Sequence, residues 1–359
     1  MAQRLLVATR KGLFDLRQQD GDWKICQRSF PGEPVSMVWR GLWQGKSVML
    51  AALNLGHFGT KLHRSTDDGK SWQEVAVPVY PVTEGEADGA SLELIWSLEA
   101  DAKGRLWAGT IPGGLFVSRD WGDSWQLNKA LWTDPSRSEW FGGGYDAPGI
   151  HSICIDPRNP DWLTLGISCG GIWQTRDGGV SWQVKTRGMK AAYMPPEQQE
   201  NPAIQDPHRL VQCAGDPDCF WVQHHNGIFK TEDHCTTWRE VTAEPSSFGF
   251  AVAVHPQQSR RAWFVPAIKD EFRYPVDGKL VVTRTDDGGE SFARLNRGLP
   301  EQESYDLVYR HGLVVDASGD TLAMATTTGN LWISDNGGSN WALISNYLPP
   351  VYALRFVEA

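Results

Sequence analysis

The sequence predicts an all-β fold, a seven-bladed β-propeller of four-stranded antiparallel blades, and three observations carry that prediction. An octapeptide of the form Ser/Thr-x-Asp-x-Gly-x-Ser/Thr-Trp/Phe stands at 65–72, 118–125, 175–182 and 285–292. Altered copies stand at 231–238, with Cys235 for the glycine, and at 334–341, with Asn336 for the aspartate. The closing aromatics fall at 72, 125, 182, 238, 292 and 341, and steps of 49 to 57 residues are the period of a repeat architecture. Finally, the apolar run 351–357 has no octapeptide after it, while 4–28 supplies only three strands. Joining the two chain ends in one blade closes the ring and removes an exposed sheet edge.

The octapeptide reads as a hairpin turn. In the copy at 175–182, Asp177 is short enough to accept hydrogen bonds from backbone N–H groups of its own turn. Gly179 supplies a positive φ at little steric cost. Thr175 and Ser181 bond locally, and Trp182 lies as a plug between neighbouring sheets. Short apolar strands such as 171–174 and 114–117 lead into these turns. Repetition at every turn marks Asp67, Asp120, Asp177, Asp233 and Asp287, with Asn336, as structural rather than catalytic.

Taken in order, strands are expected at 4–9, 12–17 and 23–27, completed by 351–357. Six further blades follow at 35–77, 92–128, 149–186, 208–242, 248–296 and 303–345. Their innermost strands are expected at 35–40, 92–99, 150–156, 209–215, 250–255 and 307–316. The chain 1–359 is then a single propeller domain; a six-bladed ring is the alternative, and it leaves the N-terminal strands without a place.

Composition agrees. Hydrophobic content of 41%, 18 tryptophans and 37 glycines suit many short strands joined by tight turns. A formal charge of −9 without a basic block argues against nucleic acid or an anionic membrane as partner. No stretch reaches transmembrane length, and residues 5–8 read as a strand rather than part of a secretory signal. Six cysteines without CxxC spacing read as reduced thiols, so a cytoplasmic location is expected.

The octapeptides resemble the Asp-box (BNR) repeats of sialidases, sortilin-type receptors, two-propeller xyloglucanases and a photosystem II assembly factor, and the resemblance runs from end to end. The segments 5–14, 58–65 and 150–157 are also similar to bacterial soluble proteins labelled BNR-repeat glycosyl hydrolases. The resemblance implies the propeller fold and, at family level, hydrolase chemistry on a carbohydrate. It carries no catalytic residue over. A true sialidase is not implied, because the Phe-Arg-Ile-Pro motif expected near the N-terminus has only a late echo, Phe272-Arg273-Tyr274-Pro275. Nor is the second propeller of the xyloglucanases present in this sequence.

The period also sorts the loops. Octapeptide turns join third to fourth strands on one face; loops between second and third strands, and between blades, lie on the other, around the channel mouth. Function is expected there, because loops tolerate variation that blades do not. The enlarged loops on that face are 54–61, 78–91, 129–149, 187–208 and 266–279. The first inter-blade loop carries Glu84, Glu86 and Asp88, read as surface decoration. The 187–208 loop is long enough to act as a lid.

Glycoside hydrolysis needs two carboxylic acids across a groove, and Glu93, Asp146, Asp270 and Glu271 are the candidates on that face. Trp132, Trp140 and Tyr145 are candidate sugar platforms, with loop packing as the alternative. Arg10, Lys11, His57, His224, His225, Asn226, Arg273 and Tyr274 complete the candidate ligand-binding rim. His151, at the mouth of an inner strand, is the candidate acid or base. No cofactor is expected beyond a divalent metal, which neutral imidazoles and a carboxylate are able to hold; His57, His151 and His225 are its candidate ligands. The function expected is that of a glycoside hydrolase-like protein binding a carbohydrate or other small polar ligand at the channel mouth. The alternatives are a non-catalytic scaffold for a protein or ligand, and a metal-assisted lyase or hydrolase using the histidine rim.

Overall fold

The computed structural model describes residues 4–43, 45–81 and 89–357; Glu84, Glu86 and Asp88 lie outside them. It is a ring of seven four-stranded antiparallel sheets. The first blade runs outward through Val351–Val357, Arg4–Thr9, Gly12–Gln19 and Asp22–Ser29. Its C-terminal strand pairs with the N-terminal one, Arg4 facing Val357 and Ala8 facing Ala353, so the ring closes without a free edge at either end.

The other innermost strands are Val35–Trp43, Leu94–Ala100, Gly149–Ile155, Pro207–Gln212, Gly249–Val254 and Leu313–Val315. All six differ from the sequence expectation by a few residues at one or both ends, and two of the differences bear on the site. The fifth-blade strand starts earlier, at Pro207, and so includes His208. The seventh-blade strand is short, because a turn from the Gly312 N–H to the Tyr309 carbonyl ends the pairing before it. In that turn, Tyr309, Arg310 and His311 stand at the channel.

The octapeptide turns are built as their chemistry demands. Asp177 accepts from the Ser181 N–H at 2.9 Å and from the Ser181 hydroxyl at 2.6 Å. The Thr175 hydroxyl donates to Asp177 at 2.7 Å and accepts from the Gly179 N–H at 3.0 Å. Gly179 has φ +91°, the left-handed region a side chain adopts only at a cost. Asn336 substitutes for the aspartate by accepting from the Asn340 N–H at 2.9 Å.

Four of the six turns also tie their blade to the preceding one through the indole of the closing tryptophan. The indole N–H of Trp72 reaches Ser29 (3.0 Å), that of Trp125 the Ala76 carbonyl (2.8 Å), that of Trp182 Asn128 (3.0 Å) and that of Trp238 the Lys185 carbonyl (2.8 Å). Between the sheets lie the apolar clusters, with Trp107, Trp121, Trp221 and Trp263 wholly buried among them. All six cysteines are free thiols. No helix among the described residues is long and apolar enough to cross a membrane.

The hydrogen bonds that Asp177 accepts hold its carboxyl at a pKa of about 2, and Asp67 sits in the same position. A folded-state pKa below the unfolded value contributes stability that is complete above about pH 4 and is lost as pH falls towards 2. Asp177→Ala should cost roughly 1 kcal/mol at pH 7, the scale of a lost helix cap. Asp177→Asn, imitating position 336, should cost less, and its deficit against wild type should narrow at pH 3. Urea unfolding midpoints at the two pH values measure both effects.

Candidate functional site

The channel mouth opposite the octapeptide turns opens into a cavity of about 1090 Å³. Its lining comes from the first strand-to-strand turn (Arg10), the 54–58 loop, the 141–145 loop, the 266–279 loop and the mouths of the inner strands. None of Asp67, Asp120, Asp177, Asp233, Asp287 and Asn336 is among the lining residues.

The inner strands share a device that builds this mouth. In six blades the pairing of the innermost strand with its neighbour slips by one or two residues near the mouth. The residues left without a partner include Tyr352, Ser36, Trp96, His151, His208 and Phe250. A bulge of this kind bends the strand and re-aims a side chain. Five of these residues line the cavity: Ser36, Trp96, His208, Phe250 and Tyr352. His151 lies just beneath, its ring edge-on to Trp96 at 5.4 Å between centroids.

The bulges are linked from blade to blade. The Ser36 hydroxyl donates to the Ile95 carbonyl (3.3 Å) and the Ser97 hydroxyl to the Ile150 carbonyl (2.9 Å). The His151 Nε2–H donates to the Pro207 carbonyl (2.6 Å) and the His208 Nδ1–H to the Gly249 carbonyl (2.7 Å). A carbonyl only accepts, so each of these imidazole nitrogens carries a hydrogen. For His151 the remaining nitrogen meets the Ser152 hydroxyl at 2.9 Å, and the ring is fully used. Burial holds its pKa well below the usual histidine value, so the ring is neutral.

His208 differs. Its free Nε2 faces the carboxylate of Asp206 at 3.4 Å, and Nδ1 of His225 faces the same oxygen, Oδ2, also at 3.4 Å. The donor atoms of the three residues lie within 4.8 Å of one another, a geometry that suits a cation. Asp206 is only 4% exposed. Its Oδ1 accepts from the Cys169 N–H at 3.1 Å and the Ser168 hydroxyl at 3.3 Å. Its backbone is held by His224, whose Nε2 faces the Asp206 N–H at 3.0 Å. Burial raises the Asp206 pKa; a positive charge shared with the His208 and His225 rings, together with Arg310, outweighs it and holds the group well below the carboxylate range.

Arg310 lines the same cavity and is 9% exposed, with its guanidinium over Trp96 at 4.6 Å and Phe250 at 5.7 Å. Its Nε has no hydrogen-bond partner, and among the described residues it forms no ion pair. Burial is the largest influence on its pKa and lowers it. Tyr145, Tyr193 and Tyr309 stand around the same space. The glycine run at 142–144 passes close over it: a Cβ on Gly143 would lie 2.8 Å from the Cys169 Sγ and 3.4 Å from Asp206 Oδ2.

The structure brings together Arg10, Tyr145, His225, Asp270 and Arg273 from the candidate set, all lining the cavity. Asp270 is bound to Arg273 at 2.5 Å. The other candidates lie outside the lining. Glu93 and Asp146 are exposed, Glu271 faces Lys269 at 3.5 Å, and Lys11 is exposed. His57 is exposed and stacks on Phe58; Asn226 accepts from the Ala192 N–H; Tyr274 packs against Tyr305. His224 is buried with both ring nitrogens facing backbone N–H groups, its pKa lowered to about 3 by burial. Trp132 is covered by Arg137 at 3.4 Å, and Trp140 is buried edge-on to Trp173, so both tryptophans pack loops. Asp206, His208, Arg310 and Trp96 are the residues the sequence reading omits. The signal for two of them was available: His208 and Trp96 occupy the position in their strands that His151 occupies in its own.

No protein-family model matches the chain. A stretch of 79 residues, 22% of the chain, is 33% identical to the oligoxyloglucan-reducing end-specific xyloglucanase of Emericella nidulans, of which it covers 9%. Among solved structures the chain is similar to an ancestral GH74 enzyme (TM-score 0.59, 15% identity, 90% of this chain and 38% of that one). It is likewise similar to the GH74 enzyme of Niastella koreensis (TM-score 0.60, 15% identity, 94% and 53%). YCF48 bound to D1 peptide matches with a TM-score of 0.51 and 16% identity over 82% of this chain and 77% of that one. These likenesses show the fold, and the chain spans about half or less of the GH74 chains.

The packing roles assigned above are measurable. Trp140→Ala should cost about 3 kcal/mol or more as a buried large-to-small change. Tyr145→Ala, at a residue 46% exposed, should cost well under 1 kcal/mol. Equal losses in chemical denaturation for the two variants would contradict the assignment.

Proposed function

We propose that this glycoside hydrolase-like propeller binds a small acidic carbohydrate, a sugar acid or its short oligomer, in the cavity at the channel mouth. The observation that carries the reading is Arg310. A buried guanidinium with an unpartnered Nε costs free energy unless an anion arrives to pair with it. A carboxylate accepts the two parallel hydrogen bonds that this planar group offers. The aromatic walls at Trp96, Tyr145, Phe250 and Tyr309 suit the apolar faces of a sugar ring, and the volume of about 1090 Å³ accommodates more than one ring. A deep pocket also favours a small ligand over a flat protein partner.

Hydrolysis by two carboxyl groups requires one that keeps its proton near neutral pH. Of the lining acids, Asp206 has its pKa held well below the carboxylate range, Asp270 is tied to Arg273 and Glu33 is exposed to solvent. Binding is therefore the activity the reading rests on, with turnover a separate question.

Calorimetric titration of glucuronate, galacturonate and their short oligomers beside the matching neutral sugars tests it. The acids should bind, and the neutral sugars should bind more weakly. Arg310→Met, which keeps the stem between Trp96 and Phe250, should weaken acid binding roughly 10- to 100-fold, the worth of a charge-assisted hydrogen bond. Equal binding of acid and neutral forms, or an unaffected Arg310→Met, rejects the proposal.

A further inference from the structure

We infer that Asp206 Oδ2, His208 Nε2 and His225 Nδ1 form a binding site for a divalent first-row transition cation, open towards the cavity. The inference deepens the reading above by placing a metal beside the same ligand, but its geometry stands without that ligand.

The first argument is the tautomer of His208. Its Nδ1 hydrogen is committed to the Gly249 carbonyl, so in the neutral ring Nε2 presents a lone pair. That lone pair faces a carboxylate oxygen, which also has only lone pairs to offer. Two acceptors held face to face in a buried site repel unless a positive centre lies between them. A proton alone would draw the pair into a charge-assisted bond of about 2.7–2.9 Å. The separation is instead 3.4 Å on both sides of Oδ2. Ligands bonded at about 2.1 Å to one tetrahedral ion stand about 3.4 Å apart.

The second argument is the support behind each ligand. Metal-bound histidines commonly pass their other ring hydrogen to a backbone carbonyl or carboxylate, which fixes ring orientation and raises basicity. His208 does this through Gly249. Asp206 has its other oxygen occupied by Ser168 and the Cys169 N–H, which leaves Oδ2 for the cation. His225 donates its backbone N–H to the Asp206 carbonyl at 2.9 Å and sets its ring edge-on to Tyr193 at 4.9 Å. Two imidazoles and one carboxylate suit zinc, iron or manganese better than calcium or magnesium, and three protein ligands leave coordination positions for a substrate oxygen. Bound there, the ion acts as a Lewis acid on a hydroxyl or carboxylate oxygen of the ligand.

Sequence spacing hides this site, since Asp206 and His208 alternate along one strand mouth and His225 comes from the next turn. It also replaces two histidines of the sequence expectation. His151 has no free nitrogen, and His57 stands exposed on the 54–58 loop.

The test uses the chelator-treated chain 1–359 titrated with Zn²⁺ or Mn²⁺ alone, with metal content by elemental mass spectrometry. One equivalent should bind, and the melting midpoint should rise with free metal. Asp206→Asn, His208→Ala and His225→Ala should each lose at least about 100-fold in affinity, while Glu93→Gln, an exposed residue outside the cavity, should match wild type. His225→Ala guards against a folding artefact: His225 is the least buried of the three, so its apo melting midpoint should stay near wild type while the metal-induced rise disappears. Failure of wild type to bind either ion, or undiminished binding by the three variants, overturns the inference. Because no sugar is present, that failure leaves the Arg310 experiment to be judged separately.

Discussion

The mouth of this propeller depends on a relay of hydrogen bonds that crosses from inner strand to inner strand. Ser36, Ser97, His151 and His208 each reach the carbonyl just before the bulge of the next blade, at Ile95, Ile150, Pro207 and Gly249. A bulge frees a backbone carbonyl from its ladder, and a buried free carbonyl is costly unless something donates to it. The neighbouring blade provides the donor. Ring closure and side-chain aim are thus one problem with one solution. Two of the polar groups that satisfy the bulges, Ser36 and His208, also line the cavity.

The opposite face solves a different problem. There the octapeptide turn is self-contained: an aspartate, a glycine and two hydroxyl residues satisfy one another, and the following tryptophan spans the junction to the preceding blade. Because that face is fixed by repetition, a change in it costs stability at a single junction and creates no new chemistry. The channel mouth carries no such repeat. Equivalent bulge positions hold serine, tryptophan, two histidines, phenylalanine and tyrosine, a sequence variation that the shared backbone geometry absorbs. Ring architecture permits it because each blade contacts only its neighbours.

Legibility followed the same division. The octapeptides reported the turns, the period reported the blades, and the orphan run 351–357 reported the closure, since each is a local pattern with a local cause. Arg273, Asp270 and Tyr145 were legible as rim residues because they sit on enlarged loops, and Arg10 and His225 because they sit in short strand-to-strand turns on the same face. Asp206 was not, and His208 went unread although it holds the strand position of His151. Taking the fifth inner strand to start at Arg209 consigned them to the 187–208 loop, and the slip in register that brings His208 inward has no signature in hydrophobic alternation. Arg310 was hidden for the converse reason. The apolar run around it reads as a strand, and only the turn between Tyr309 and Gly312 shows that its side chain enters the channel. Trp132 and Trp140 show the reverse error of emphasis, since an indole in a loop resembles a sugar platform until its neighbours are known.

Charge ties the proposed ligand to the proposed metal. The chain as a whole carries −9, which at long range repels anions. At physiological ionic strength such repulsion fades beyond about 8 Å, so the local balance of the cavity decides. Arg273 is cancelled by Asp270, and the buried charges that remain are Arg310 and Asp206. Alone, these two leave the pocket near neutral overall, and an anion is drawn by the local field of the unpartnered Arg310 guanidinium. A divalent ion on Asp206 and its two imidazoles changes the sum by two, leaving the wall that holds Arg310 and the metal cationic against an acidic exterior. The same two centres then hold a carboxylate from both sides. A site of that charge strengthens the preference for acidic over neutral sugars that Arg310 already sets, because in a buried pocket uncompensated charge is too costly to be left unpaired.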